Sequence, residues 1–311
     1  MAELNLREAD RVEVTVLVDN YTDILQLQGS EVARRAMVPA TSALLAEHGL
    51  SCLIRVWADS EEHAVLMDAG ISPICLLHNA EALGVDFGQI ESVVLSHGHI
   101  DHFGGLTAFL EQANKGIPLV LHPSAFLPRR LNIPGLGAVE LPLLEEAALE
   151  QAGASIRKVS HASTVAAGLL LVLGEVERVT EFEKGFPWAE AKIGGDWVID
   201  PISDDQGVAV KVKGKGLVVL SGCAHAGIIN TVKHAQKVSH TEKVHAVLGG
   251  FHLTGALFEP IIDPTIAEMK SVGPDYVVPM HCTGWKAITR FAEEMPEQFQ
   301  LNTVGTTYTF G

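Results

Sequence analysis

The chain is poor in cysteine, and what it has is scattered. Cys52, Cys75, Cys223 and Cys282 form no CxxC pair, so neither a zinc knuckle nor a disulfide framework is indicated. A reduced, cytoplasmic protein is the expectation. No apolar run approaches the roughly 20 residues that cross a bilayer. Residues 1–10 are mixed charged and polar, without the apolar core of a signal peptide. Basic clusters are scarce as well: only Arg34-Arg35, Arg129-Arg130 and Arg157-Lys158 adjoin, in a chain of net charge −16. That weighs against nucleic acid and an anionic membrane as partners and leaves room for a basic pocket around one phosphate. Two catalytic signatures are missing. The absence of Gly-x-Ser-x-Gly argues against a serine hydrolase, and no GxxxxGK[ST] phosphate loop is present.

What is there is globular: 47% apolar and 19% charged residues, over a length of 311 that suffices for one large α/β domain. Apolar alternation and short buried-type runs predict strands at 12–19, 50–57, 64–68, 92–95, 119–121, 172–176, 208–212, 217–220, 244–248 and 276–278. The polar residues 59–62 read as a hairpin turn. Helices are predicted over 73–83, 104–112, 228–238 and 264–271. Prolines 118, 123, 128, 134 and 142 interrupt the chain, so 123–142 is expected to be a long loop or lid outside the core. The stretch 177–201 holds Phe182, Phe186, Trp188 and Trp197 among Gly and Pro. It reads as a pocket wall or as a satellite cluster packed under a loop. One domain over 1–311, β-rich and then alternating β-α, fits sheets with helices outside them.

The informative segment is Ser96-His97-Gly98-His99-Ile100-Asp101-His102, directly after a buried strand. Imidazole nitrogen and carboxylate oxygen are ligands that zinc takes readily. His97 and His99, two apart in extended chain, project to one side and can grip one ion. Asp101 and His102 follow where the chain turns into a helix and can face a second ion. Gly98, Gly104 and Gly105 permit tight turns. A histidine-rich surface loop is the competing explanation, but ligands commonly gather at such strand ends in α/β folds.

His97-x-His99-x-Asp101-His102 resembles the HxHxDH signature of the metallo-β-lactamase superfamily, and Leu66-Met67-Asp68-Ala69-Gly70 is similar to its upstream Asp-x-Gly strand. The resemblance implies a four-layer αββα sandwich with the metals at one edge of the two sheets. It gives Asp68 the role of bracing the metal loop. Val18-Asp19-Asn20, the Ser221-Gly222-Cys223-Ala224-His225 run, Gly250-Phe251-His252 and Met280-His281-Cys282 resemble one branch in particular. Members of that branch are often named 7,8-dihydropterin-6-methyl-4-(β-D-ribofuranosyl)-aminobenzene-5′-phosphate synthase, while most bacterial ones look like generic metal-dependent hydrolases.

A catalytic zinc keeps one position for water, so two ions need ligands beyond the first motif. His281, after the last strand, is assigned to the second ion with Asp101 and His102; a core histidine is the alternative. Cys223 stands where the superfamily has a bridging aspartate, and is either a thiolate ligand or a small buried residue. Asp204 or Asp205 lies where a histidine ligand is expected. His225 is favoured as third ligand of the first ion, with Asp205 a weaker candidate or a partner that holds a histidine tautomer. His252 is read as a catalytic group, a metal ligand or a structural residue. His122 is expected to be structural, and His48, His63, His78, His161, His234, His240 and His245 receive no role. Arg178 is a candidate substrate contact.

These residues predict an enzyme with two divalent metal ions, Zn2+ first and Mn2+ or Fe2+ as alternatives. It uses an activated hydroxide on a small-molecule ester, lactone, amide or phosphoester, with Asp101 and His252 as catalytic groups. The alternatives are a transferase as in the branch name, and a relative that only binds ligands.

Overall fold

A computed structural model describes residues 5–311; residues 1–4, part of the polar N-terminal stretch read above, lie outside the described residues. Two sheets face each other. The first runs in space as Ala154–Lys158, Ile117–Leu121, Ser92–Val94, Glu61–Met67, Ser51–Ala58, Arg11–Val18, Thr307–Phe310 and Ala33–Arg34. The second runs as Ser163–Val165, Leu170–Val172, Gly207–Val212, Gly216–Ser221, Val244–Gly250 and Tyr276–Met280, with Glu8–Ala9 alongside Gly207–Val212.

The alternation in the sequence builds this sandwich. Val12, Val14 and Val16 face the interior with Ile54, Val56 and Met67, and meet Val208, Val210, Val218, Leu220 and Leu248 of the second sheet. The outer face of the first sheet carries Leu66, Val93 and Leu119, covered by the Pro73–Ala82, Leu106–Gln112 and Glu146–Ala152 helices through Leu76, Phe109 and Leu149. The outer face of the second carries Val219 and Val247, covered by the Ile228–Ser239, Ile262–Val272 and Trp285–Glu294 helices through Val232, Ile266 and Phe291. The layers are therefore α, β, β, α, as expected.

The residues expected to form long irregular segments are partly strand. Arg129–Ile133 and Gly137–Glu140 form a hairpin, Ala189–Ile193 and Asp196–Ile199 form another, and the two pair through Ala189↔Leu131 and Ala191↔Arg129. This third, four-stranded sheet corrects the loop readings of 123–142 and 177–201. Pro134-Gly135 and Gly194-Gly195 sit between the strands, where a hairpin needs a tight turn. The strand expected at 172–176 is instead Leu170–Val172: Gly174 at φ +69 ends it.

Parallel pairing sets where the site lies. Ser221, Gly249 and Pro279 are brought side by side by Ser221↔Gly249 and Gly249↔Pro279. In the first sheet, Met67 lies beside Val94. The residues just past these C-terminal strand ends are Asp68, Ser96, Cys223, His252 and His281, so they share one edge of the sandwich.

Candidate metal centre

Asp68 is the hub of the motif loop. It is fully buried, at φ +60, and its Oδ1 accepts from the Ser96 amide at 2.7 Å. Its Oδ2 accepts from Ser96 Oγ at 2.7 Å and from His102 Nδ1 at 2.6 Å. These bonds fix hydrogens. Ser96 spends its proton on Asp68, so its oxygen accepts from His97 Nδ1–H at 2.9 Å. The neutral ring of His97 is therefore protonated at Nδ1 and turns a bare Nε2 away from the brace, while His102 donates to Asp68 from its Nδ1. His97 Nε2 reaches 3.0 Å from His99 Nδ1, and His102 Nε2 reaches 3.1 Å from Cys223 Sγ.

Two groups of donor atoms result. In one, His97, His99 and His225 bring ring nitrogens within 4.8 Å of each other; in the other, Asp101, His102, Cys223 and His281 do the same with nitrogen, sulfur and oxygen. His97 links them, with ring centroids 4.8 Å from His225 and 4.3 Å from His102. The structure thus brings together the residues expected at a first and a second ion. Cys223 and His225 also converge with His252.

Burial sets the charge states. It pushes His97 and His225 far down, with neighbouring histidines adding to the effect, and holds His99 down at about 3. These rings are neutral and able to donate lone pairs. Burial also opposes a charge on His102, but Asp68 and Asp101 outweigh it and raise His102 to about 9. Burial favours the neutral form of Asp101; His102, His281 and His48 overcome it and hold the carboxyl far below the usual range. Burial, then Cys282, pushes the Cys223 thiol up.

The residues present fit metal ions. His99 Nε2, both ring nitrogens of His225, His252 Nδ1 and His281 Nε2 are buried without a hydrogen-bond partner. Orphaned buried polar atoms of this number are costly in a folded protein. Here they are clustered, and the set offers imidazole, carboxylate and thiol, donors that divalent metal ions take.

Other expected site residues fall elsewhere. Asp205 is in neither group. Its Oδ2 accepts from the Ala226 amide at 2.9 Å, so it holds the backbone beside His225 and not a histidine ring. Asp204 is turned the other way, accepting from the Gly98 amide at 2.8 Å and from Arg129 at 2.5 Å, while Arg129 also donates to Asp200 at 2.7 Å. Both aspartates are thus engaged by backbone amides, Asp205 by that of Ala226 and Asp204 by that of Gly98. Arg178 donates to the Pro201 carbonyl at 2.7 Å. His122 caps the short Pro123–Phe126 turn by accepting from the Ser124 amide, as a structural residue does.

The glycines of the motif act through space. Gly98 and Gly104 are not at positive φ. A Cβ at Gly98 would meet the Ala125 carbonyl oxygen at 2.1 Å, and one at Gly104 the Ile71 carbonyl oxygen at 2.0 Å. Backbone strain is found at the strand ends instead: Asp68, Ala224, His252 and His281 are non-glycine residues at positive φ.

Sequence reasoning missed His48 and gave Asn20 no role. His48 Nε2 is 3.4 Å from Asp101 Oδ2 and its ring lies 4.9 Å from that of His281. Asn20 Oδ1 is 3.2 Å from His281 Nδ1. The available signal was position: Asp19-Asn20 ends a buried strand in the same way that Asp68 does.

Beside His225 and His252 lies a cavity of about 190 Å³ lined by Phe182, Lys184, Phe251, Leu253 and Phe258. His252 sits between Phe258, at a ring distance of 4.4 Å, and Phe186, at 5.7 Å. The wall of this cavity is fastened by Glu183, which accepts from the Ile229 and Asn230 amides at 2.9 Å at the N-terminus of the Ile228–Ser239 helix.

Comparison with known proteins agrees with this geometry. Residues 47–190 match the family model described as the metallo-beta-lactamase superfamily. The chain is 32% identical over 303 residues to the 7,8-dihydropterin-6-methyl-4-(beta-D-ribofuranosyl)-aminobenzene-5'-phosphate synthase of Methanocaldococcus jannaschii, covering 96% of each chain. It is 30% identical over 254 residues to an uncharacterized protein of the same organism, covering 82% of this chain and 91% of that one. The crystal structure of a metal-dependent hydrolase of the beta-lactamase superfamily superposes with a TM-score of 0.72 at 24% identity, covering 96% of this chain and 98% of the other. With its paired donor groups at one edge of an αββα sandwich, the chain belongs to the metallo-beta-lactamase superfamily.

Proposed function

We propose that this chain is a metal-dependent hydrolase that holds two divalent ions and acts on a small-molecule ester, lactone, amide or phosphoester. The observation that supports it is the pair of adjoining donor groups, His97/His99/His225 and Asp101/His102/Cys223/His281, with bare nitrogens aimed inward. Zinc suits a set that mixes imidazole, carboxylate and thiol; Mn2+ and Fe2+ suit the imidazole and carboxylate part. Bound ions of this kind supply Lewis-acid polarisation and acidify water toward a pKa of about 7.

The chain's own residues do the rest. Asp68 keeps His97 in one tautomer through the Ser96 hydroxyl and holds the His102 Nδ1 with its own carboxylate. Asp101 stays ionised across the neutral range, so it remains an acceptor that orients a nucleophilic water. His252, with Nδ1 unpartnered beside the cavity, is placed to hydrogen-bond a substrate oxyanion or leaving group. Phe182, Phe251 and Phe258 make the cavity apolar and exclude bulk water from that side.

A second reading is a transferase acting on a dihydropterin and a ribofuranosylaminobenzene phosphate. The 32% identity over 96% of both chains to a synthase of that name favours it. A relative that only binds ligands is disfavoured by the intact donor set.

Metal analysis tests the hydrolase reading, with two zinc equivalents per chain expected; a folded protein that takes up no metal would defeat it. A panel of p-nitrophenyl esters, bis-phosphodiesters, lactones and β-lactams then sorts the substrate class. Silence across the panel together with dihydropterin binding would favour the transferase.

A further inference from the structure

We propose that Asn20 is the positioning residue of the Asp101/His102/Cys223/His281 group: its single amide sets the tautomers of His281 and His48. The outcome is a bare His281 Nε2 and a His48 N–H that both face Asp101.

The orientation of the Asn20 amide is set by backbone groups that have no choice of role. The Gly49 N–H, which can only donate, lies 3.4 Å from Oδ1, and the His281 carbonyl, which can only accept, lies 3.1 Å from Nδ2. Two imidazoles then read the same amide. His281 Nδ1 is 3.2 Å from Oδ1, an acceptor, so Nδ1 carries the hydrogen and Nε2 is bare. His48 Nδ1 is 3.4 Å from Nδ2, a donor, so Nδ1 is bare and the neutral ring carries its hydrogen on Nε2.

The consequence falls on Asp101. His281 Nε2 faces Asp101 Oδ2 at 3.3 Å and has no hydrogen-bond partner among the described residues. A lone pair opposite a carboxylate is repulsive unless a cation lies between them. His48 Nε2–H, 3.4 Å from the same oxygen, donates to it from the open side, since the His48 side chain is 61% exposed. Asp19 completes the arrangement from the preceding position. Its Oδ1 takes the His281 amide at 2.8 Å and its Oδ2 takes Asn302 Nδ2 at 2.7 Å. One end of the Arg11–Val18 strand thus holds His281 by backbone through Asp19 and by ring through Asn20. Asn20 itself is exposed, so removing its amide opens no core cavity.

The metal-binding part of this proposal rests on the two-ion reading; the tautomer part does not. The test uses the full chain and the variants Asn20→Ala and Asn20→Asp. Long-range proton–nitrogen correlation on metal-free protein at about pH 8.5, roughly two units above the ordinary histidine pKa, reports the His281 tautomer. Zinc titration reports the two binding events. Wild type is expected to show His281 as the Nδ1–H form. Asn20→Ala should lose that uniform state and weaken one zinc equivalent roughly 10- to 100-fold, leaving the other unchanged. Asn20→Asp keeps an acceptor for His281 Nδ1 and should restore both. An Asn20→Ala protein whose His281 stays Nδ1–H would overturn the proposal. So would unchanged affinity for both equivalents. Should wild type take up only one equivalent, the two-ion reading fails while the tautomer comparison still decides the role of Asn20.

Discussion

Cys223 Sγ and His102 Nε2 stand 3.1 Å apart at the meeting point of the two sheets. The sulfur belongs to the group around Asp101 and also to the group around His225 and His252. On the two-ion reading proposed above, Cys223 would serve as a thiolate ligand. Cobalt substitution should therefore produce a thiolate-to-metal charge-transfer absorption, and Cys223→Ser should remove it while Cys282→Ser leaves it in place. An unchanged spectrum in Cys223→Ser would return Cys223 to the role of a small buried residue.

Asp68 takes three hydrogen bonds while fully buried. Asp68→Ala strands the Ser96 amide, the Ser96 hydroxyl and His102 together. Denaturant unfolding should show a loss of about 3–5 kcal/mol, the scale for breaking one side of a buried charged pair. Metal affinity should fall roughly 10- to 100-fold. Asp68→Asn keeps an acceptor and should lie between the two.

Arg129 joins the third sheet to the motif loop. Its guanidinium pairs with Asp200 and Asp204, all three nearly fully buried, and Asp204 in turn holds the Gly98 amide. Arg129→Met should cost about 3–5 kcal/mol by leaving two buried carboxylates unpaired. Arg129→Lys should rescue little, because one ammonium does not reproduce the planar fork. Full rescue by lysine would show that charge alone matters there.

Much of this was legible in the sequence, and the misses have physical causes. The valines at 12, 14, 16 and 18 alternate because one face of their strand is core, so period two survives. His97, His99, Asp101 and His102 lie within six residues, so their convergence is local geometry. The third sheet was hidden because Arg129–Ile133 and Ala189–Ile193 are short and mixed in burial, and the pairing that joins their two hairpins spans about 60 residues. The partner of Asp205 was not legible because spacing along the chain cannot show that an amide, that of Ala226, takes its carboxylate. Asn20 and His48 act from 261 and 53 positions away from their targets, His281 and Asp101, and only folding makes them neighbours.

Asp205 should leave a signature in stability against pH. Burial raises it from 3.8 to about 6, against the pull of the Ala226 and His225 amides. The folded chain therefore binds this proton more tightly than the unfolded chain, and stability from this group falls as pH rises between roughly 4 and 6. In metal-free protein, Asp205→Asn should gain in melting temperature relative to wild type as pH rises from about 4 to 7, then hold steady. A difference that does not vary with pH would show that Asp205 ionises normally.

The pairing of Ala189 with Leu131 ties the two hairpins into one unit whose lengths are coupled in the middle and free at the tips. At the tips, a side chain at Gly135 or Gly194 would meet nothing within 4 Å. Residues inserted at those turns would lengthen the hairpin tips without disturbing register, while the Arg129 anchor keeps the donor-bearing edge apart from the change. The third sheet thus has two points of free outgrowth, and the frame that carries the donor groups can stay as it is.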